Sequence, residues 1–226
     1  MFKELLSFFK GKNLIEEAFD ESIKMLNYDF DMFMAVKKSL RERDTEEIDC
    51  DVYKHDKLIN KYEREVRKKV MLNLSITGST FLNAGLVLVS IVIDIERIGD
   101  YMKNIAELAK HHPLRLKAGM YEERIQKIEK IVEDKFPAVI KALKESDEVL
   151  AREKMDEHKE VSRTCDEILF SLIKEEDKSI KPSEAVTITL YTRYLKRINS
   201  HLTNIATSIV NPFHRIGFYT KVEETD

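Results

Sequence analysis

The chain has 226 residues, enough for one large domain or for two small domains with real hydrophobic cores. Charged residues make up 35% of it and hydrophobic residues 43%, with six glycines, four prolines and no tryptophan, which is typical of long helices. The net charge of −3 offers no basic surface to a nucleic acid. The two cysteines are far apart and fit neither a disulfide nor a metal motif, so we expect reduced thiols in the cytoplasm.

Residues 1–12 (MFKELLSFFKGK) lack the long apolar region and the small-residue cleavage site of a signal peptide. The spacing of their apolar residues predicts a short amphipathic segment. Two interpretations stay open for it: packing on the helical bundle, or lying on a membrane surface. The apolar side chains concerned are Phe2, Leu5, Leu6, Phe8 and Phe9.

Three long helices are predicted in the first half of the chain from apolar residues at spacings of three and four. The first runs to about residue 40. The second begins at an acidic capping box, formed by Asp44 and Glu47, and ends near Gly78. The third runs from Ser79 to about residue 111.

An uncharged stretch of 24 residues, Val70 to Ile93, is long enough to cross a bilayer. A polar cluster lies in its middle, around Thr77-Gly78-Ser79. We interpret the stretch as the end of one helix, a turn and the start of the next helix, and not as a membrane span.

The second half repeats this organisation after a loop around residues 114–119. Helices are predicted over about 120–145, with a kink at Pro137, over about 147–178, and over about 183–210.

The most informative stretch is Asp-Ile-Glu-Arg-Ile-Gly-Asp, residues 94–100. On a helix it places an acidic stripe beside an apolar one, with carboxylates one turn apart at about 5–6 Å. One interpretation is a metal site with oxygen ligands. The other is a solvated face neutralised by Arg97 and Lys103. The stripe consists of Glu96, Asp100, Asn104 and Glu107.

Shifting the chain by 100 positions reveals an internal repeat. Residues 97–98 match residues 197–198, and residues 104–106 match residues 204–206, which makes five identities in a ten-residue window. The matches fall at equivalent places in the two helix triplets. The sequence therefore predicts an all-α fold of two tandem three-helix bundles that arose by duplication.

A duplicated three-helix unit whose third helix carries this motif, followed by Asn-Ile-Ala-Glu, resembles the PhoU family of phosphate-uptake regulators. The resemblance extends from about residue 14 to residue 210. It implies two similar three-helix bundles, which we assign to residues 1–112 and 113–226. It also implies a protein without enzymatic activity, which acts at the cytoplasmic face of phosphate transport systems through the transporter ATPase and a sensor kinase.

The resemblance further implies iron or zinc, bound by Glu/Asp-x-x-x-Asp motifs on neighbouring helices. Glu96 and Asp100 match the third-helix motif, and Asp56 matches the first position of the second-helix motif. Asn60 stands where that motif has its second carboxylate. We therefore predict one metal site, formed by Asp56, Glu96 and Asp100 with Asn60 as a neutral fourth ligand. His55 is either a further ligand that favours zinc or iron, or a solvated histidine.

The corresponding positions of the second bundle are Lys196 and Ser200 on its third helix and His158 and Ser162 on its second. None of the four is a carboxylate, and Lys196 places a fixed cation where a metal ion would lie. We expect no metal site in the second bundle.

We accordingly expect a non-enzymatic regulator of phosphate uptake or phosphate signalling, located in the cytoplasm or peripherally at the inner face of the membrane through its partners. One alternative is a metal-free helical adaptor. A carboxylate-bridged metal enzyme is a weaker alternative, because none of the six histidines has a glutamate three residues before it. Whether the chain forms a homodimer is left open.

Overall fold

The computed structural model describes residues 14–112 and 114–218. The N-terminal amphipathic segment therefore lies outside the described residues. Within them the chain forms six long α-helices, as predicted. They are α1 (Leu14–Glu42), α2 (Val52–Thr77), α3 (Leu82–His111), α4 (Glu122–Glu145), α5 (Glu148–Ile173) and α6 (Pro182–Val210). Helices α1–α3 form the first bundle and α4–α6 the second.

The start of α2 differs from the prediction. Val52 is its first residue, and the side chain of Asp51 caps it by accepting a hydrogen bond from the Lys54 amide at 3.0 Å. Asp44, the predicted capping residue, instead accepts a hydrogen bond from the amide of Arg115 at 3.1 Å. The prediction of an acidic capping box at residues 44–47 was therefore wrong, because Asp44 contacts the segment that connects the two bundles.

The turn between α2 and α3 confirms that the uncharged stretch is a helical hairpin. Gly78 has a φ of +63°, which a side chain would oppose, and a short 3-10 helix (Gly78–Phe81) leads into α3. By length and composition alone, the region Val52–His111 contains a segment apolar enough to cross a membrane. Several apolar side chains near this turn are exposed: Met71, Leu72, Ile76, Leu82 and Leu86.

In the second bundle, α4 ends at Ser146 in the left-handed conformation, and Asp147 caps α5. Pro137 lies inside the continuous helix α4. Helix α5 ends at Ile173, several residues before the predicted end at 178. Pro182 opens α6 at a position where a missing N–H costs no hydrogen bond.

The two bundles share one continuous hydrophobic core, because α3 and α6 lie side by side in antiparallel orientation. Polar contacts mark this seam. The Asp94 carboxylate lies 2.7 Å from Nδ1 of His201, and Arg197 Nε donates to the Tyr101 hydroxyl at 3.1 Å. The seam is therefore held by apolar packing together with specific hydrogen bonds.

A buried ionic network also joins the bundles. Arg41, at the end of α1, forms ion pairs with Glu122 and Glu129 of α4, and its Nε lies 2.8 Å from Glu129 Oε1. The Tyr191 hydroxyl of α6 donates to the same Glu129 oxygen at 2.7 Å. Because the network is largely buried, losing one member leaves an unpaired charge inside the protein.

Candidate functional site

The predicted acidic residues of the first bundle lie on the facing helices α2 and α3. Asp56 is in the first turns of α2, while Glu96 and Asp100 are one turn apart on α3. Their side chains are only 15%, 17% and 31% exposed, respectively. The two helices thus concentrate negative charge in a partly dehydrated place, where it needs a counter-charge.

That counter-charge is a lysine. Lys103 Nζ lies 2.9 Å from Asp56 Oδ1 and 2.8 Å from Asp100 Oδ1, so the ammonium bridges the two helices. Burial alone would lower the pKa of Lys103, but its hydrogen bonds to Asp100 and Asp56 raise the pKa overall. Arg97 also contacts Asp100, at 3.2 Å. Arg97 also lies 3.6 Å from Glu96, so the neutralised-face interpretation describes how all three predicted ligands are arranged.

Asp29 of α1 is a fourth acid at this place, and the sequence reasoning missed it. It is completely buried, and neither of its oxygens has a hydrogen-bond partner among the described residues. Burial, followed by the charges of Glu96 and Asp56, raises its pKa well above the ordinary value. An added Cβ on Gly99 would lie 3.2 Å from Asp29 Oδ1, so α1 and α3 approach closely here. Its position on the apolar stripe of α1 was the feature of the sequence that could have identified Asp29 as a buried acid.

Asp29, Asp56, Glu96 and Asp100 with Lys103 are called the acidic site below. His55 has other partners: its Nδ1 lies 3.0 Å from the Cys50 sulfur, and its ring stacks on Tyr28 at 5.0 Å. Asn60 is partly buried on α2.

The donor set does not fit a metal ion as it is arranged. Across residues 14–112 and 114–218, no group of three or more His, Cys, Asp or Glu side chains is placed to hold one. The iron or zinc site at Asp56, Glu96 and Asp100 stays a prediction.

At the equivalent place in the second bundle the charge has the opposite sign. Lys196 Nζ lies 2.6 Å from both carboxylate oxygens of Asp166, a residue of α5. Lys135 of α4 is completely buried, and its Nζ donates to Asn199 Oδ1 at 2.6 Å. Burial lowers the pKa of Lys135 to about 8. Sequence reasoning identified Lys196 but missed Lys135.

The remaining second-bundle residues are polar partners. His158 Nδ1 lies 3.2 Å from Asn199 Nδ2, and its Nε2 lies 3.5 Å from the Ser162 hydroxyl. Burial, followed by Lys135 and Lys196, lowers the pKa of His158. Ser200 donates to the carbonyl of Lys196 at 2.9 Å. These contacts hold the side chains within the bundle.

The fold and these sites define a class: all-helical proteins built from a tandem three-helix repeat, with charged residues on the second and third helices of each unit. The chain belongs to the PhoU family, whose PhoU domain matches it twice, over residues 22–109 and 125–209.

Two solved structures share its fold. PhoU from Pseudomonas aeruginosa is 21% identical, with a TM-score of 0.78 over 87% of this chain and 95% of that one. The phosphate transport system regulatory protein PhoU from Streptococcus pneumoniae is 16% identical, with a TM-score of 0.69 over 87% of this chain and 91% of that one. No curated protein sequence matches the chain.

Proposed function

We propose that this protein is a non-enzymatic regulator of phosphate uptake or phosphate signalling, which binds a phosphate transporter component, a sensor kinase, or both. The observation that carries the proposal is the match of both halves to the PhoU domain. The regulatory role named for the streptococcal relative supports it. We place the protein in the cytoplasm, at the inner face of the membrane when it is bound to its partners.

The charge of the first bundle favours a basic partner surface. Glu107 is exposed on the same helix as Glu96 and Asp100, which extends the negative face along α3. Lys103 and Arg97 cancel only part of this charge. Such a face attracts a basic partner and gives binding that weakens as salt is added.

The second bundle presents the opposite arrangement. Lys196 is a fixed cation paired with Asp166, and Arg193 and Arg197 are exposed on the same helix. We therefore propose that the two bundles bind different partner surfaces.

The direct test is affinity capture of the tagged chain from cells grown at high and at low phosphate, with partners identified by mass spectrometry. We expect a transporter component or a sensor kinase that responds to phosphate. If neither is captured under either condition, and no phosphate-dependent phenotype follows deletion, the regulatory role is refuted.

A second experiment tests whether the negative face of the first bundle contacts the partner. The double variant Glu96→Ala/Asp100→Ala should bind the captured partner more weakly at low salt, and its binding should depend less on salt. The matched control is Glu148→Ala/Glu153→Ala, which removes the same charge from exposed positions of α5. Equal salt dependence in both double variants would show that the acidic face does not contact the partner.

The oligomeric state needs a separate measurement. Light scattering coupled to size-exclusion chromatography distinguishes a monomer from the homodimer that the sequence leaves open. A metal-free adaptor remains the second candidate, and the bridging position of Lys103 favours it.

A further inference from the structure

The geometry points to Lys103 as the resident cation of the acidic site: we propose that its ammonium takes the place of a metal ion, and that the wild-type chain binds no metal there. The inference concerns the chain by itself and does not depend on which partner the protein regulates.

The distances around Lys103 Nζ are those expected for an ammonium group. The two oxygens that face Lys103 Nζ lie at 2.8 and 2.9 Å, the range of charge-assisted hydrogen bonds to an ammonium. Ligand oxygens around Mg²⁺ or Ca²⁺ lie closer to the ion, at about 2.0–2.6 Å. The oxygens of Asp56 and Asp100 thus each lie at a distance that suits an ammonium group and is longer than a metal–ligand bond.

Lys103 also occupies the position that a bridging metal ion would need. Lys103 belongs to α3, one turn after Asp100, and it reaches across to Asp56 on α2. Its side chain is only 25% exposed, because the charged end points between the helices and not into solvent. A metal ion that bridged α2 and α3 at this place would have to displace it.

The internal repeat shows a bridging lysine in the second bundle as well. At the shift of 100 positions, Lys103 corresponds to Thr203, and Lys196 corresponds to Glu96. Each bundle therefore has a lysine between its second and third helices, but the two lysines come from different positions of the repeat. In the second bundle, Lys196 reaches Asp166 of the neighbouring helix at 2.6 Å. An internal ammonium thus joins the second and third helices in both bundles, although the two lysines are not equivalent in sequence.

Removing the lysine should convert the place into a metal site. Without Lys103, Asp56 and Asp100 would lose the ammonium that bridges them, beside Glu96 and the buried carboxyl of Asp29. The remaining cation would be Arg97, which lies 3.2 Å from Asp100 and 3.6 Å from Glu96 but is 57% exposed and free to turn towards solvent. Several carboxylates suit hard cations such as Mn²⁺. The variant Lys103→Ala should therefore bind one equivalent of Mn²⁺ that the wild type does not bind.

The experiment titrates Mn²⁺, a stable substitute for Fe²⁺, into the full chain with detection by electron paramagnetic resonance, and repeats the titration with Zn²⁺ by calorimetry. We expect no saturable binding by the wild type and saturable binding of one equivalent by Lys103→Ala, at least about tenfold tighter than any weak association of the wild type. Adding Asp56→Asn to Lys103→Ala should abolish this gain.

Lys69→Ala is the matched control. Lys69 Nζ also bridges two carboxylates of the first bundle, at 2.7 Å from Glu21 and 3.0 Å from Glu17. Removing it leaves one acidic pair without the additional acids that surround Lys103, so no saturable Mn²⁺ binding is expected. Equal affinities of Lys69→Ala and Lys103→Ala would overturn the proposal.

Circular dichroism will show whether Lys103→Ala folds. If it does not, the wild type alone still tests whether a metal ion occupies the acidic site. If the wild type binds one equivalent of Mn²⁺ or Zn²⁺, and Asp56→Asn removes that binding, a metal displaces the lysine and the proposal is wrong. If the wild type binds neither ion, the acidic site holds no metal, as proposed. These results are independent of the capture experiment, because no partner is present.

Discussion

Replacement of Lys135 by methionine tests the most unusual charge in the second bundle. Its side chain is completely buried on α4, and its Nζ lies 2.6 Å from Asn199 Oδ1 and 3.8 Å from Glu157 Oε2. Burial lowers its pKa from 10.5 to about 8, although Glu157 opposes this change. Lys135→Met keeps the aliphatic stem of the side chain and removes the ammonium group, and with it the titration and the hydrogen bond to Asn199.

The pKa of about 8 sets the size of the effect. As the pH falls from 10.5, the unfolded chain binds a proton at Lys135 before the folded chain does, so folding becomes less favourable until the pH passes about 8. At about 1.4 kcal/mol for each pH unit between the two values, the full cost is about 3 kcal/mol. The stability contribution is therefore present above pH 10.5 and lost below pH 8.

The assay is urea unfolding of wild type and Lys135→Met, followed by circular dichroism near pH 7 and again near pH 10.5. The free energy of unfolding of the wild type should rise relative to the variant by about 3 kcal/mol between the two conditions. Groups that titrate equally in both proteins cancel in this difference. Lys141→Met is the control, because Lys141 is an exposed lysine of the same helix.

Two results would refute the reasoning. If the free energies of unfolding of wild type and Lys135→Met differ by the same amount at pH 7 and at pH 10.5, Lys135 is not buried in its charged form. If Lys141→Met changes the pH dependence of the free energy of unfolding as much as Lys135→Met does, the effect does not come from burial. The absolute stability of Lys135→Met is less informative, because the variant also loses the hydrogen bond to Asn199.

Three further predictions follow from buried groups. Arg41→Ala should lower the free energy of unfolding by about 3–5 kcal/mol in urea melts, because it leaves buried glutamate charge unpaired; a loss under about 1 kcal/mol would contradict this. Gly99→Ala should cost about 1–3 kcal/mol in the same assay, because the crowding of the new methyl group, 3.2 Å from both Asp29 Oδ1 and an Ile59 side-chain carbon, should exceed the helix-propensity gain of about 1 kcal/mol; unchanged or raised stability would show that these two side chains move aside. Burial raises the pKa of the Cys165 thiol to about 12, so iodoacetamide should label the folded chain at Cys50 first, and equal labelling rates would refute the burial of Cys165.

Local patterns in the sequence were sufficient to predict the helices and the internal repeat. Apolar spacing predicted six helices, and the identities at a shift of 100 positions predicted the duplication that the two PhoU domain matches bear out. The spacing of Glu96 and Asp100 also placed them one turn apart on α3. These properties depend on residues that are close in the chain, where helical geometry alone determines which side chains share a face.

Contacts between helices needed the tertiary structure. The sequence placed Lys103 one turn from Asp100 but did not show that it also reaches Asp56, and nothing local distinguished the buried Lys135 from the exposed lysines of α4. The periodicity of a helix specifies the direction of a side chain relative to its own axis. Which opposing charge it meets, and how much water remains around it, depends on the rotation and register of the neighbouring helix, which packing of the whole core decides.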